Sequence, residues 1–509
     1  MKGLDLFIIF GYLIGIVLFG TWFGRKQKTT ADYFLGDRSV PWWAVAFSIV
    51  ATETSTITFI SIPGVAFARG GNFGFLQLVF GYLLGRIVIS ILFIPSYFRG
   101  ELLTVYQLLD QRFGGKIKMV AASLFVVMRN IADGIRLLLT AIVLAAVYAA
   151  FQPAANNETI IIGSIVLIGL AMIIFTYFGG MEAVIWVEVI QLGIYIAGAI
   201  AAAVVLINSI DGGFAAASSL AHQYAKYSLF DFTLDHTRTY TFWSGLIGGC
   251  FLTMSTHGTD QYLVQRYLCT DHPRKATIAL LTSGGIVLAQ FIGFLFIGVL
   301  LFAFYHPFTD PGYATAASTA FPFSGGDRVF PDFITKFMPT GLSGLVVAAI
   351  FAAAMSSSLN SIAATAVNDL YKPFRPDRED KHYLKVSHVL TLVWGVVQIG
   401  VALAVRNQPG SALSMALSIA SLINGPILGV FLVGTFLRRV SQPPALIGML
   451  VSIASMLYVF FGTKIAWTWY VFLGSLITFV VAWGASFAFA PAEKARAPIG
   501  PLGPIVDEE

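Results

Sequence analysis

Residues 48–58 read SIVATETSTIT and lie inside a hydrophobic run that extends over about residues 42–67. Seven of these eleven residues carry polar side chains: Ser48, Thr52, Glu53, Thr54, Ser55, Thr56 and Thr58. At membrane depth such a cluster is costly unless it lines a cavity or is hydrogen-bonded internally. Because hydroxyl and β-branched side chains also weaken a helix locally, the stretch predicts a transmembrane helix that unwinds at its middle.

Unwinding would free main-chain carbonyl oxygens, which are hard ligands suited to a small cation such as sodium. The alternative is a buried polar helix in which the hydroxyl groups bond back to carbonyl oxygens of their own helix. The residues of this stretch do not decide between these two structures.

The composition places the chain in a membrane. Of its 509 residues, 57% are hydrophobic and only 11% are charged, and the mean hydropathy is +0.80, whereas a soluble domain carries roughly 25% charged residues. The net charge of +5 requires no nucleic-acid partner. Cys250 and Cys269 are the two cysteines, too few for a disulfide framework or a metal-ligand pattern. We therefore expect an all-α polytopic membrane protein.

Apolar runs long enough to cross a bilayer recur along the chain. The first is followed by Arg25 and Lys26 and lacks a basic leader and a small-residue cleavage site, so it is interpreted as a retained helix. The sequence predicts thirteen spans, near residues 4–22, 42–67, 73–97, 119–150, 159–177, 182–207, 242–268, 276–304, 341–367, 383–405, 411–437, 443–461 and 467–489.

The lysines and arginines predict the orientation, because cytoplasmic loops of membrane proteins are enriched in them. With the N-terminus outside, 20 of them lie on the cytoplasmic side or at the cytoplasmic end of a span, 8 on the other side and 3 deeper within spans. This asymmetry predicts an external N-terminus and a cytoplasmic C-terminus, which requires an odd number of spans.

The seventh span contains a second polar interruption, GGCFLTMSTHGTDQYLVQR at residues 248–266. Spans 2 and 7 are five apart and enter the membrane from opposite sides. Two interrupted helices in corresponding positions of inverted halves are typical of secondary transporters with a site at the bilayer midplane. We therefore predict one transporter domain over 1–490, with inverted repeats over about 42–207 and 242–437. Residues 491–509 are predicted to form a short cytoplasmic tail, disordered because it is rich in proline and alanine.

Five segments resemble those of the sodium:solute symporters, the family of the sodium–glucose and sodium–proline cotransporters. They are ADYFLGDRSVPWWAVAFSIVAT at 31–52, YFGGMEAVIWVEVIQ at 177–191, HGTDQYLVQR at 257–266, AAIFAAAMSSSLNSIAATAVNDLYKP at 348–373 and LINGPILGVFLVGTF at 422–436. The resemblance spans nearly the whole chain. It implies thirteen helices, a five-plus-five inverted repeat (the APC/LeuT-like fold) with two broken helices, sodium as the coupling ion, and alternating access.

The resemblance also implies a sodium site between spans 2 and 9. Its oxygens would come from the hydroxyl groups of Ser356 and Ser357 and from the carbonyl groups of Ala51, Thr54 and Ala353. Residues 355–360 are about three residues shorter here than in the relatives, which is nearly one helical turn. If the shortening precedes Ser356, alanines occupy the ligand positions, and the small residues at 352–358 then form a helix-packing face.

Glu188, in WVEVIQ, is an acidic residue inside a predicted span and therefore a functional candidate. Relatives commonly read W-T-D at this position, with the acid near a second ion or the cytoplasmic exit path. The alternative is an interfacial glutamate that is salt-bridged or solvated.

Further ionisable residues lie within the predicted spans. Asp133 has helical spacing to both Arg129 and Arg136, so internal pairing is favoured; alternatively, one arginine binds an anionic substrate. Glu53 either faces a ligand or neutralises a buried arginine such as Arg86.

The substrate site is expected between spans 2 and 7. The candidate binding residues are Thr58, Phe59, Thr253, Thr256 and His257. His257 could also act as a proton sensor or be a satisfied buried hydrogen-bonding residue. Relatives that transport galactose carry polar sugar-binding residues at the positions of 57–58, so the sequence argues against a close galactose-type site.

The sequence thus predicts a sodium-coupled symporter that imports a small polar organic solute, which could be a sugar, a carboxylate or an amino acid. It would lie in the plasma or inner membrane with lipid, sodium and the solute as its partners, without nucleic acid, and could work as a monomer. The alternatives are a membrane solute sensor, or an ion channel without coupled transport, which would need a filter motif. An enzyme is not expected, because the seven scattered histidines form no H-E-x-x-H or Ser/His/Asp pattern.

Overall fold

The computed structural model describes residues 3–24, 29–100, 102–151, 157–309, 326–355, 358–406, 412–492 and 499. Every regular element in these residues is helical. Seven helices in this part of the chain are apolar over a length that can cross a bilayer, and the two halves of the predicted span 2 together would make an eighth. One of the seven, over 158–209, contains the non-helical residue Gly180, which divides it into two.

Each predicted span falls on a helix or a pair of helices, which we number in chain order. They are α1 (Gly3–Gly24), α2a and α2b (Trp42–Glu53 and Thr56–Phe67), α3 (Leu76–Leu92), α4 (Gly115–Phe151), α5 and α6 (the parts of Asn157–Ser209 before and after Gly180), α7a and α7b (Gly249–Gly258 and Gln261–Leu268), α8 (Pro273–Thr309), α9a and α9b (Leu342–Met355 and Leu359–Thr365), α10 (Asp380–Val405), α11 (Ala412–Phe436), α12 (Gln442–Gly462) and α13 (Tyr470–Ala485).

Helix α2 is broken at the polar stretch, as predicted. Thr54 leaves the helical conformation, with φ −78° and ψ 47°, and the chain bends by 56° between the two halves. The hydroxyl groups nevertheless bond back to the backbone: Oγ1 of Thr52 donates to the carbonyl oxygen of Ser48 at 2.8 Å, and Oγ1 of Thr58 donates to that of Glu53 at 2.7 Å. The two structures that the sequence left open therefore occur together.

Helix α7 is broken at Thr259 and Asp260, which both have non-helical backbone angles. Asp260 begins α7b as its N-cap, because its side chain accepts a hydrogen bond from the amide of Tyr262 at 2.9 Å. A short π-helical segment, Ser244–Gly248, precedes α7a. Both predicted breaks are thus confirmed.

Glycine permits the closest approach of the broken helices to their neighbours. A Cβ atom on Gly81 of α3 would come within 2.3 Å of the carbonyl oxygen of Gly245, just before α7a. A Cβ atom on Gly298 of α8 would come within 2.1 Å of the carbonyl oxygen of Pro63 in α2b. Any larger residue would push these backbones apart.

Two buried ionisable side chains satisfy helix ends. Oδ1 of Asp5 accepts hydrogen bonds from the amides of Gly341 and Gly344, at 2.6 and 3.0 Å, where α9a begins. At the end of α2b, Nζ of Lys226 donates to the carbonyl oxygens of residues 66, 67 and 68, at 3.0, 3.1 and 2.7 Å. Orphan backbone groups at helix termini need such partners.

Most of the C-terminal tail lies outside the described residues. Ile499 is described, and it is 3% exposed. Its amide donates to the carbonyl oxygen of Gly434 at 3.2 Å, so at this residue the tail packs against α11. The predicted disorder of the tail is therefore wrong at Ile499. The residue is apolar within a Pro/Ala-rich segment, which explains why composition alone missed it.

Candidate functional site

A cavity of about 210 Å³ lies between the broken helices α2 and α7. Residues of α3, α4, α8 and α11 complete its wall. The lining residues are Thr52, Glu53, Ser55, Thr58, Ile62, Phe75, Tyr82, Arg129, Ala132, Arg136, Leu252, Thr253, Thr256, His257, Tyr262, Leu263, Phe291, Ala420 and Asn424. This wall combines aromatic and aliphatic surface with a few polar groups, as small-molecule sites do.

The predicted substrate residues Thr58, Thr253, Thr256 and His257 all lie on this wall. Phe59 lies elsewhere: its ring is fully buried and packs on Tyr195, Phe294 and Phe330, with centroids 4.9 to 5.3 Å away. Adjacent residues of a helix point about 100° apart, and here this offset turns Phe59 away from the cavity that Thr58 lines.

Tyr262 forms a cationic surface with the arginines of α4. The Arg129 guanidinium carbon lies 4.5 Å from the ring centroid, and Nη1 of Arg136 donates to the Tyr262 hydroxyl at 3.2 Å. Sequence reasoning missed Tyr262, although its position two residues after the α7 break was a usable signal. The ring holds two guanidinium groups at the cavity wall through cation–π contact and hydrogen bonding.

Each of these arginines has its own acidic partner. Nη1 of Arg136 lies 3.6 Å from Oδ1 of Asp133, one of the pairings that the helical spacing predicted. Arg129 instead pairs with Asp260 at the α7 break, at 2.5 Å. The partner of Arg136 is therefore the more distant one, which leaves this guanidinium more available to a solute.

Three buried polar atoms of the cavity-lining residues have no hydrogen-bond partner among the described residues. They are Nε of Arg129, Nε of Arg136 and Nδ2 of Asn424. All three are donors. A buried donor without an acceptor costs free energy, so the wall favours a solute that supplies acceptor oxygens.

The carboxylate of Glu53 also lines the cavity and is already satisfied. Oε1 of Glu53 contacts Nη2 of Arg86 and Nε2 of His257, and Nδ1 of His257 lies 2.9 Å from the hydroxyl oxygen of Thr256. The hypothesis that Glu53 neutralises Arg86 is thus confirmed. The cluster joins α2a, α3 and α7a.

Glu188 is fully buried in α6 and forms an ion pair with Arg266 of α7b. Oε1 accepts from Nη2 of Arg266 at 2.5 Å, and Oε2 accepts from Nε at 3.3 Å. Thr52 donates to Oε1 at 3.0 Å, and the Ser48 hydroxyl donates to Oε2. The glutamate is salt-bridged, as one alternative held, but in the interior of the protein. The pair connects α2a, α6 and α7b.

Part of the predicted sodium site lies outside the described residues. Ser356 and Ser357 are not described, and Ala353 lies near the end of α9a. Ala51 is in the last turn of α2a, and Thr54 is at the break, where its hydroxyl donates to Oε1 of Gln290 at 2.8 Å. The end of α2a presents carbonyl oxygens of the kind that bind sodium.

A family model for the sodium:solute symporters matches residues 33–452. The chain belongs to the sodium:solute symporter family. Curated relatives of the symporter include the sodium/sialic acid symporter NanT of Aliivibrio fischeri, 32% identical over 94% of this chain and 92% of that protein. The sodium/sialic acid symporter SiaT of Proteus mirabilis is 30% identical over 96% and 95%. The human sodium-coupled monocarboxylate transporter 1 is 27% identical over 84% and 70%.

Solved structures resemble the symporter over almost its full length. A Na⁺-coupled sialic acid symporter in its substrate-bound outward-open state superposes with a TM-score of 0.83, at 30% identity over 97% of this chain and 99% of that one. The nucleobase-cation symporter MHP1, 13% identical, superposes with a TM-score of 0.54 over 91% and 96% and shares the fold. The predicted APC/LeuT-like fold with two broken helices is confirmed. The symporter is a multi-pass membrane transporter that couples sodium to solute transport by alternating access.

Proposed function

We propose that the symporter uses the sodium gradient to import a small organic carboxylate, with sialic acid as the first candidate. The observation that carries the proposal is the surplus of donors on the cavity wall: two guanidinium groups and the Asn424 amide have buried N–H groups without acceptors among the described residues. A carboxylate supplies acceptor oxygens, and arginine binds it with a planar pair of donors.

The other solute classes fit less well. The ammonium group of an amino acid needs a carboxylate partner, and the only acid that lines the cavity among the described residues, Glu53, already contacts Arg86 and His257. A neutral sugar offers acceptor oxygens without a negative charge, and hydrogen bonds from guanidinium groups to a carboxylate are roughly twice as strong as those between neutral groups. The hydroxyl groups of Thr58, Thr253 and Thr256 suit the polar substituents of a sugar acid.

Sodium would be bound by the carbonyl oxygens of Ala51, Thr54 and Ala353 and the hydroxyl oxygens of Ser356 and Ser357. The break at Thr54 supports the two carbonyl groups on α2a. Glu188, the other ion candidate, would act as an internal counter-charge for Arg266, since its oxygens already accept from Arg266, Ser48 and Thr52.

The chain would lie in the cell membrane with its N-terminus outside and its C-terminus in the cytoplasm, and would transport its solute without chemical change. A potential of about 100 mV supplies roughly 2.3 kcal/mol per charge, and a tenfold sodium gradient adds about 1.4 kcal/mol. One sodium ion per solute could thus sustain a gradient of roughly several hundred-fold for an uncharged solute, and less for an anion.

The experiment is uptake by proteoliposomes that contain the purified protein. We expect saturable uptake of radiolabelled N-acetylneuraminate with an inward sodium gradient and background uptake with potassium. Unlabelled N-acetylneuraminate and lactate should compete, and the methyl ester of N-acetylneuraminate, galactose and proline should compete at least about tenfold more weakly.

Arg136→Gln should weaken carboxylate competition by roughly tenfold or more, because truncating one partner of a buried charge pair is costly. Arg406→Gln is the matched control, since Arg406 pairs with the exposed Glu158 at 3.2 Å. Sodium-driven uptake of galactose or proline in preference to both carboxylates would overturn the proposed substrate class.

A further inference from the structure

The carboxylate of Asp133 lies between the cavity and the break in α9. Its Oδ2 atom accepts hydrogen bonds from the amide and the hydroxyl group of Ser358, at 2.9 and 2.5 Å. Its Oδ1 atom faces Nη1 of Arg136 at 3.6 Å, too far for a hydrogen bond. Asp133 is 3% exposed, so these two residues are its main partners among the described residues.

Ser358 is the N-cap residue of α9b and is fully buried. Its amide is one of the orphan donors that every helix start must satisfy, and Asp133 satisfies it from another helix. Ser358 also follows directly on the two serines proposed as sodium ligands. A shift of α9b would therefore move the donors of Asp133.

Arg136 connects the same carboxylate to the solute. It lines the cavity, and its Nη1 atom donates to the Tyr262 hydroxyl. Its Nε atom is buried and has no acceptor in the part of the chain that the structure describes. A guanidinium that is 3.6 Å from its carboxylate is only loosely held. It can donate hydrogen bonds to a second carboxylate at the cavity wall.

We propose that Asp133 is a positioning residue that couples sodium binding to solute binding by dividing its carboxylate between Ser358 and Arg136. With sodium bound, Ser358 donates twice to Asp133, and Arg136 is left available to the solute carboxylate. When sodium leaves and α9b shifts, Asp133 loses the Ser358 donors and closes on Arg136, because a buried carboxylate cannot remain without donors. Arg136 is then withdrawn from the solute.

The inference rests on the proposed function, and it predicts that sodium and solute strengthen each other's binding. Sodium raises solute affinity, and by thermodynamic reciprocity the solute raises sodium affinity by the same factor. A residue that only stabilised the fold would weaken both ligands and leave this factor unchanged. The coupling factor is therefore the decisive quantity.

The test is the Kd of N-acetylneuraminate, by calorimetry on the purified full chain, in sodium and in potassium at equal ionic strength. We expect the wild type to bind roughly fivefold or more tightly in sodium. In Asp133→Asn the Kd in potassium should exceed the Kd in sodium by less than about twofold, because the affinity in potassium rises when Arg136 is no longer withdrawn. Ser358→Ala, which keeps the amide donor, should give an intermediate ratio.

Asp260→Asn is the matched control. It neutralises the partner of the other cavity arginine, Arg129, and its carboxylate bonds to α7b and not to Ser358. We expect it to keep the wild-type ratio. The inference would be overturned if sodium no longer tightened binding in this control. It would also be overturned if sodium tightened binding in both Asp133→Asn and Ser358→Ala as much as in the wild type.

If Asp133→Asn fails to fold, Ser358→Ala decides. A potassium-to-sodium Kd ratio equal to that of the wild type overturns the inference, and a smaller ratio supports it. Wild type that binds N-acetylneuraminate equally in both salts overturns the inference while leaving carboxylate binding intact. Wild type that binds neither N-acetylneuraminate nor lactate overturns the proposed substrate class, and the inference with it.

Discussion

Oε1 of Glu188 lies 2.5 Å from Nη2 of Arg266, and neither side chain has any exposed surface. The two residues are 78 positions apart in the chain and join α6 to the second half of the broken helix α7. Ser48 and Thr52 of α2a donate to the same carboxylate. One ion pair thus holds the two broken helices and α6 together beside the cavity.

Arg266→Met should lower the free energy of unfolding by roughly 3–5 kcal/mol, because it leaves a charged carboxylate buried without its cation. The double variant Glu188→Gln/Arg266→Met should recover a large part of this loss, since neither charge is then left unpaired. Denaturant titration in detergent micelles measures both changes.

The control is Lys275→Met, which removes the cation of an exposed pair with Asp271 at 2.7 Å. Exposed pairs contribute about 0–1 kcal/mol, so this variant should unfold close to the wild type. A double variant as unstable as the sum of its two single variants would show that the pair contributes no mutual stabilisation.

The helices and both breaks could be predicted because their signals are local. Thr54 and Asp260 sit inside apolar runs, where polar residues are costly unless the backbone opens around them. The ion pairs could not be predicted in the same way. Arg129 has a nearby acid at helical spacing, Asp133, yet it pairs with Asp260, 131 residues further along the chain. Only tertiary packing brings these two together.

The candidate substrate residues illustrate the same limit at finer scale. Sequence placed Thr58 and Phe59 together, but the rotation of α2b after the break decides that Thr58 faces the cavity and Phe59 an aromatic cluster. Asn424 was missed because an isolated asparagine in an apolar run has no distinctive spacing, and for Tyr262 only the position two residues after the α7 break gives a signal. Their role becomes visible only when six helices surround one cavity.

A sodium-specific rise in melting temperature should be seen for the wild type and lost in Ser356→Ala/Ser357→Ala. A ligand that binds only the folded state stabilises it by RT ln(1 + [L]/Kd). Melting curves in sodium, potassium and choline at equal ionic strength measure the effect. If the double variant keeps the sodium shift, the ligands on α9 lie at other residues, such as the alanines that precede Ser356.

At a pH high enough for Lys226 to be neutral in both the folded and the unfolded chain, Lys226→Met should destabilise the protein by about 1–3 kcal/mol, since three carbonyl oxygens at the end of α2b lose their donor. Burial lowers the pKa of the Lys226 ammonium from its ordinary value of 10.5 to about 7. Between these values the unfolded chain binds the proton and the folded chain does not, so the free energy of unfolding rises with pH. The penalty for burying the charge is full below about pH 7 and fades towards pH 10.5.

The measurement is the difference in melting temperature between wild type and Lys226→Met from about pH 7 upwards. This difference should shift in favour of the wild type as the pH rises. A difference that is constant or moves the other way would contradict the lowered pKa, and would indicate that the carbonyl groups hold Lys226 charged.

Gly298→Ala should destabilise the protein by about 1–3 kcal/mol and slow sodium-driven uptake. Its Cβ atom would lie 2.1 Å from the carbonyl oxygen of Pro63, and a backbone atom cannot rotate away as a side chain can. Helix α2b would have to move from α8, which displaces the Thr58 wall of the cavity. Gly293→Ala on the same helix meets no atom within 4 Å and should be neutral or stabilising by up to about 1 kcal/mol, because alanine favours the helix. Equal melting temperatures and equal uptake rates for the two variants would show that α2b and α8 are not held at this contact.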